Sequence, residues 1–273
     1  MNDASATPGQ PAVALARVHM FWHGAEPARV ERLAMRSFAA HGHEVTLHVY
    51  EEPNSVPPGI ELADARETLP VAELFRHRKT GSYAPFADWF RYRVLQRLGG
   101  IWADTDCVCL RPLQYAVPEV YAWQDGQQIN NAILSLPAGH ELAAWMAQCC
   151  AWPNRFLPYD DLRTKWRKAR RRMHPGNGRD RVKWGEYGPA GFTAAARYLG
   201  YADRALPSWH FYPLHYLEWR LVFEAAPAGL EPRLERSSAV HLYNEMMRRE
   251  PGFDKNARFP PTSLFERLCE RYP

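Results

Sequence analysis

The stretch Leu98-Gly99-Gly100-Ile101-Trp102-Ala103-Asp104-Thr105-Asp106 decides the reading of this chain. A glycine pair opens a short apolar run that ends in two aspartates spaced i and i+2. In an extended segment, residues at that spacing share a face, so both carboxylates are expected to leave one strand end side by side. Carboxylates that close raise each other's pKa unless a cation sits beside them. A hard divalent ion, Mn²⁺ or Mg²⁺, suits such oxygen ligands and keeps positions for waters and phosphate oxygens. The motif therefore predicts a metal–diphosphate site. Upstream, Ala87 to Leu98 has helical periodicity, with Trp89, Tyr92 and Leu95 on one stripe. Asp88 and Arg91 share a face of that helix, and the glycine pair stops it.

Asp88-x-x-Arg91 followed by Leu98-Gly-Gly-Ile-Trp-Ala-Asp-Thr-Asp106 resembles the signature of the sugar-binding-region Asp-x-Asp glycosyltransferases. That superfamily spans yeast initiating α-1,6-mannosyltransferases, α-1,4-galactosyltransferases, and capsular and lipopolysaccharide sugar transferases. Three further segments extend the resemblance over about residues 17 to 247. They are Arg111-Pro112-Leu113, the Val18–Gly24 segment with Trp22, and Ala239-Val240-His241-Leu242-Tyr243-Asn244.

The resemblance implies an α/β fold of the GT-A nucleotide-diphospho-sugar transferase type, with a largely parallel, Rossmann-like sheet and helices on both faces. It also implies transfer of a hexosyl unit from a uridine or guanosine diphosphate sugar to a glycan or glycolipid hydroxyl, with retention. Asp104 and Asp106 are then the catalytic candidates. Asp106 would bind Mn²⁺ or Mg²⁺ with His241, and Asn244 and Glu245 are second-tier ligands. Trp22, Asp88, Arg91, Asp104 and Asn131 are the donor-binding candidates. The expected setting is surface polysaccharide synthesis on the cytoplasmic side of a bacterial membrane.

Each reading has a plainer rival. Asp-x-Asp alone often marks a solvated turn, and Asp104-Thr105-Asp106-Cys107-Val108 also fits an aspartate-nucleophile phosphatase loop. The downstream Asp-rich segment that such a phosphatase requires is missing. An inactive nucleotide-sugar-binding module of the same fold is the other alternative, although Asp88, Arg91, Asp104 and Asp106 are all intact. His241 on an apolar strand can be a hydrogen-bonded core residue. The Asn130-Asn131 pair can cap a turn as readily as bind sugar hydroxyls. Gly188-Pro189 reads as a helix entrance facing sugar or phosphate oxygens, although capping alone also explains it.

With 273 residues, the chain is long enough for one large domain. We expect residues 12–273 to form it, after a disordered stretch 1–11 and with a basic helical insertion at about 155–183. No run of about 18 apolar residues predicts a membrane span, and the opening residues lack the plan of an export signal. The five cysteines are odd in number, and two pairs are too close for ordinary bridges, which predicts reduced thiols in a cytosol.

The insertion carries Arg163, Lys165, Arg167, Lys168 and Arg170 to Arg172, with Trp166 and Met173 seven apart. That pattern suits an anionic membrane surface, with a solvated helix face as its rival. No nucleic-acid motif accompanies it. Strands are expected at 12–22 and 44–50 and helices at 27–41 and 71–78, with 64–69 irregular.

Overall fold

The computed structural model describes residues 15–226 and 229–273. The predicted disordered stretch 1–11 lies outside the described residues.

The first strand, β1 (Val18–Trp22), is followed by helix α1 (Arg29–Ala40) and by β2 (Val45–Val49) and β3 (Ile60–Asp64). Helix α2 (Ala84–Leu98) leads into β4 (Ile101–Ala103) and β5 (Cys107–Cys109). Then come β6 (Val120–Trp123), β7 (Ile129–Ser135), α3 (Glu141–Ala151), α4 (Leu162–Arg171) and α5 (Pro189–Tyr198). The C-terminal part adds α6 (Leu230–Leu234), β8 (Ala239–His241), α7 (Asn244–Arg249) and α8 (Leu264–Arg271).

Six strands form one sheet in the order β3-β2-β1-β4-β7-β6. The β3, β2, β1 and β4 strands are parallel, while β7 runs antiparallel to both β4 and β6. This is the expected α/β arrangement around a largely parallel sheet. The chain steps outward from β1 to β3 and then returns to the other side of β1 as β4, so the order reverses between β1 and β4. Ligands of such sheets sit beyond the strand ends at that reversal, where Trp22 and Asp104 stand.

Strand alternation sends Trp102 to one face and Ile101 and Ala103 to the other. Trp102, Phe21 and Leu134 pack under α2, α3 and α5. Met20, Leu47 and Ile133 share the opposite core with Met35 and Phe38 of α1. Burial on both faces explains why β2 is buried at every position, although Val45, Leu47 and Val49 alternate with polar Thr46 and His48.

Other corrections follow from context. Among the described residues the first strand begins at Val18, with residues 15–17 outside it, and positions 12–14 of the expected strand lie outside the described residues. Ile60–Asp64, where the sequence reading placed no strand and took Asp64 as the start of the irregular stretch, is an edge strand paired with β2. The helix expected at 71–78 is one 3₁₀ turn, Val71–Glu73. Beyond it the backbone pairs elsewhere: His77 N–H donates to the Ser82 carbonyl at 2.8 Å, and Arg78 N–H to the Asp180 carbonyl at 2.8 Å. The five cysteines are all unbridged, and four of them are buried.

The glycine pair has a steric cause. Gly99 and Gly100 adopt φ of +68° and +84°. A Cβ on Gly99 would lie 2.6 Å from the Ala138 backbone nitrogen, and one on Gly100 would lie 2.8 Å from the Arg17 carbonyl oxygen. Only glycine lets the chain turn from α2 into β4 against those neighbours.

Arg29 at the start of α1 forks onto Glu266 of α8, at 2.8 and 2.6 Å. The Arg29 hydrogen bonds hold the Glu266 carboxyl down to about 2; burial opposes them and the Phe259 amide adds to them. A carboxyl whose folded pKa is depressed contributes stability above its unfolded value, about 4.3, and loses it as pH falls toward the folded one. Between about pH 5 and pH 2, the melting temperature of Glu266→Gln should therefore fall less than that of the native chain. Parallel thermal melts across that window check this; identical slopes would refute it.

Candidate active site

Asp104 closes β4, and Asp106 lies in the turn that leads into β5. Cys107 N–H returns to the Asp104 carbonyl at 2.9 Å. The pair therefore does not leave one extended strand side by side, as its spacing suggested. The turn sends the two carboxylates to different partners.

Asp104 faces α2. Its Oδ1 accepts from Arg91 at 2.8 Å and from the Trp102 indole N–H at 2.7 Å. Arg91 is buried, stands 3.5 Å from Asp88, and donates also to the Asn131 carbonyl. The Asn131 side-chain amide donates to Asp88 at 2.9 Å and lies 2.8 Å from the Tyr92 hydroxyl. Asp88, Arg91, Asp104 and Asn131 thus form one network. They line a pocket of about 140 Å³, with Trp184 and Gly188 on the other side. A Cβ on Gly188 would stand 3.4 Å from an Asp88 oxygen, so the glycine leaves the entrance of α5 open.

Burial pushes the Asp88 and Asp104 carboxyls up, and Arg91 opposes it in both. Burial pushes Arg91 down, but the two aspartates outweigh it and leave its pKa raised. One permanent cation shared by two carboxylates makes a pocket of fixed hydrogen-bond acceptors, which suits sugar hydroxyls.

Asp106 faces the C-terminal part of the chain. The β5–β8 ribbon puts Cys107 opposite His241. His241 Nε2 comes within 3.1 Å of Asp106 Oδ2, and the Asn244 N–H donates to the same oxygen at 2.6 Å. Burial raises the Asp106 carboxyl, but His241 and then the Asn244 amide leave it below its ordinary value. Burial lowers His241, and Asp106 more than reverses that.

The donor set fits a hard divalent ion. Ligands at about 2.1 Å on an octahedral ion stand about 3 Å apart, close to the separation of these two atoms. The Cys107 sulfur lies in the same cluster, but burial raises its thiol pKa far above the ordinary value and keeps it protonated. Glu245 gives its carboxylate to Arg248 and Arg249 at 2.8 and 2.7 Å and is not gathered at Asp106. Asn244 takes part through its backbone.

Sequence reasoning missed Tyr243. It sits between His241 and Asn244 with φ +58°, a conformation rare for a bulky residue. Its hydroxyl donates to the Leu214 carbonyl at 2.8 Å. The strained turn aims the Asn244 N–H at Asp106, and such strain clusters at functional sites. Trp184 was missed too, since nothing local marks it.

Trp22 ends β1 half-buried. Its indole N–H donates to the Ala25 carbonyl at 2.7 Å, and the Lys255 ammonium lies 5.7 Å from its ring centroid. Two roles make different predictions. If the ring stacks on a nucleotide base, Trp22→Ala weakens nucleotide-diphosphate affinity by about 1–3 kcal/mol and leaves the fold intact. A core role instead costs about 3–5 kcal/mol of stability. We expect the first; a steep fall in melting temperature with affinity unchanged would overturn it.

Residues 32–129 match the family described as "Glycosyltransferase sugar-binding region containing DXD motif". Residues 180–272 match the "Alpha 1,4-glycosyltransferase conserved region". The first match holds Asp88, Arg91, Asp104 and Asp106; the second holds Trp184, His241 and Asn244. Among curated proteins, the chain is similar to a lactosylceramide 4-alpha-galactosyltransferase of Pongo pygmaeus. The identity is 25% over 237 residues, 75% of this chain and 91% of that one. It is also 25% identical to the enzymes of the same name from Pan troglodytes, over 81% of this chain and 58% of that one, and Homo sapiens, over 75% and 56%. The chain thus spans little more than half the length of those two relatives. Among solved structures, the PaToxG glycosyltransferase aligns at 12% identity with a TM-score of 0.44, covering 67% of this chain and 68% of that one.

Proposed function

We propose that this chain moves a hexosyl unit from a nucleotide sugar to a hydroxyl of a surface glycan or glycolipid, a reading supported by its matches to two glycosyltransferase family models. The observation that carries this reading is the adjacency of two sites. The Asp88–Arg91–Asp104–Asn131 pocket adjoins the Asp106–His241 pair across a three-residue turn.

The small pocket holds the donor sugar by its hydroxyls, while Asp106 and His241 hold Mn²⁺ or Mg²⁺. That ion would neutralise charge on the departing diphosphate, as Lewis-acid assistance to the leaving group. In the transfer, the acceptor oxygen bonds to the anomeric carbon as the bond from that carbon to the diphosphate oxygen breaks. The electron pair leaves with the diphosphate, and the hydroxyl proton passes to its departing oxygen. Attack on the face the diphosphate leaves gives retention and needs no covalent carboxylate.

Galactosyl donors come first to trial, because the relatives' printed names specify α-4-galactosyl transfer to a glycolipid. A screen of nucleotide sugars for metal-dependent hydrolysis tests the reading. Nucleotide binding without turnover of any donor would favour the inactive binding module instead.

A peripheral position on an anionic membrane is part of the proposal. No helix among the described residues is long and apolar enough to cross a bilayer. Helix α4 nevertheless presents Leu162, Trp166 and Ala169, and Met173 just beyond it, at i, i+4, i+7 and i+11. Leu162, Trp166 and Met173 are 84%, 61% and 75% exposed. Lys168 and Arg171 anchor the opposite face through Asp160 and Glu186, at 2.7 and 2.6 Å. An exposed apolar stripe edged by cations is the pattern of an interfacial helix. Each such Lys or Arg contributes about 1 kcal/mol at an anionic surface. Vesicles rich in phosphatidylserine should therefore sediment with the protein at low salt and release it at high salt. Absence of binding at low salt would refute this.

A further inference from the structure

A cleft of about 950 Å³ opens beside the donor pocket, and the two share Trp184 as a wall. Nine Lys and Arg side chains line the cleft, with no carboxylate among the lining residues. Three of the nine are held in salt bridges: Arg171 by Glu186, Arg181 by Asp180 and Arg249 by Glu245. The other six, Arg78, Lys79, Arg163, Arg167, Arg170 and Lys183, close no salt bridge among the described residues. Arg163 and Arg167 feel the Asp161 carboxylate at the start of α4.

A solvated helix face does not account for this. The cations come from separate parts of the chain, the loop at 78–79, helix α4 and the segment around 183, and they converge on one concavity. Like charges gathered so closely repel one another, and a bound anion removes that cost. Arginine forks match phosphoryl and carboxylate oxygens. At the boundary between the two cavities, Trp184 is half-buried, with the Arg249 guanidinium 5.4 Å from its ring centroid.

We propose that the acceptor is an anionic glycan. A phosphoryl or carboxylate group on it seats among the cations of the cleft, while its accepting sugar lies against Trp184 at the mouth of the donor pocket. The role of acceptor rests on the transferase reading above; the anion site itself does not. Of the stripe proposed to meet the membrane, Trp166 also edges the cleft beside Arg163, Arg167 and Arg170, whereas Leu162, Ala169 and Met173 are not among its lining residues.

The test is calorimetric titration of the full chain in EDTA with three sugars alike except in charge: galactose 6-phosphate, galacturonate and galactose. Chelation silences the metal site. We expect the two charged sugars to bind in a salt-sensitive manner and galactose not to bind. Arg163→Gln/Arg167→Gln on one wall, and separately Lys79→Gln/Lys183→Gln on the other, should each weaken that binding at least about tenfold. Metal-dependent donor hydrolysis should be unchanged in both.

Equal affinity for all three sugars would overturn the proposal, as would charged-sugar binding that neither double variant weakens. Wild-type protein that ignores the charged sugars but binds anionic vesicles through these cations would overturn it as well. If no donor is hydrolysed with any metal, the transferase reading fails while the anion site stands on its own titration. If donors are hydrolysed and the charged sugars are ignored, only the anion site fails.

Discussion

Asp106→Asn should abolish metal-dependent binding of uridine or guanosine diphosphate and leave the fold intact. The substitution keeps shape and size, and its amide oxygen can still accept from the Asn244 N–H. What it removes is the one carboxylate here whose pKa is held low, by His241 beside it. An amide is a far weaker ligand for a hard dication. Turnover should fall at least about 100-fold, which corresponds to about 2.7 kcal/mol of barrier. Titration of nucleoside diphosphate with and without Mn²⁺, beside a thermal melt, checks it. Unchanged Mn²⁺-dependent affinity in a folded variant would refute the metal role of Asp106.

The largest effect on both stability and activity is expected at Arg91. Its guanidinium is the only cation in contact with Asp88 and Asp104 among the described residues, and all three are largely buried. Arg91→Met leaves the two carboxylates with neutral donors only, Trp102 and Asn131, and no cation to balance them. Breaking such an arrangement costs about 3–5 kcal/mol, or roughly 10 °C of melting temperature for a chain of this size. Donor turnover should disappear with it. Arg91→Lys restores a charge but not the fork that reaches Asp104 and the Asn131 carbonyl together. It should recover much of the stability and little of the activity. An Arg91→Met protein that melts like the native chain would show that Arg91 does not balance the pair.

How much of this was legible beforehand depended on distance along the chain. Asp88 to Asp106 is one local unit of helix, glycine pair and strand, so its spacing carried its meaning. Even there, spacing alone misjudged the two aspartates, because the hydrogen bond from Cys107 to Asp104 bends the chain between them. The edge strand Ile60–Asp64 was missed because two acids interrupt its apolar pattern. The segment 71–78 read as helical because periodicity does not register that Arg78 is held by Asp180, more than a hundred residues away. His241 entered only through family resemblance, since nothing in its neighbourhood reveals that β8 pairs with β5. The basic segment was conspicuous, but the cleft was not, because its other wall is built from residues near 78 and 249.

Asp106 and His241 stand 135 positions apart in the chain, and only the β5–β8 ribbon brings them together. At about 5–20 residues per second, a ribosome needs on the order of ten seconds to travel from one to the other. For all of that time the growing polypeptide holds one member of the pair without the other. The proposed metal site can therefore assemble only after nearly the whole chain has been made, so a chain truncated before β8 should show no Mn²⁺-dependent nucleotide-diphosphate binding.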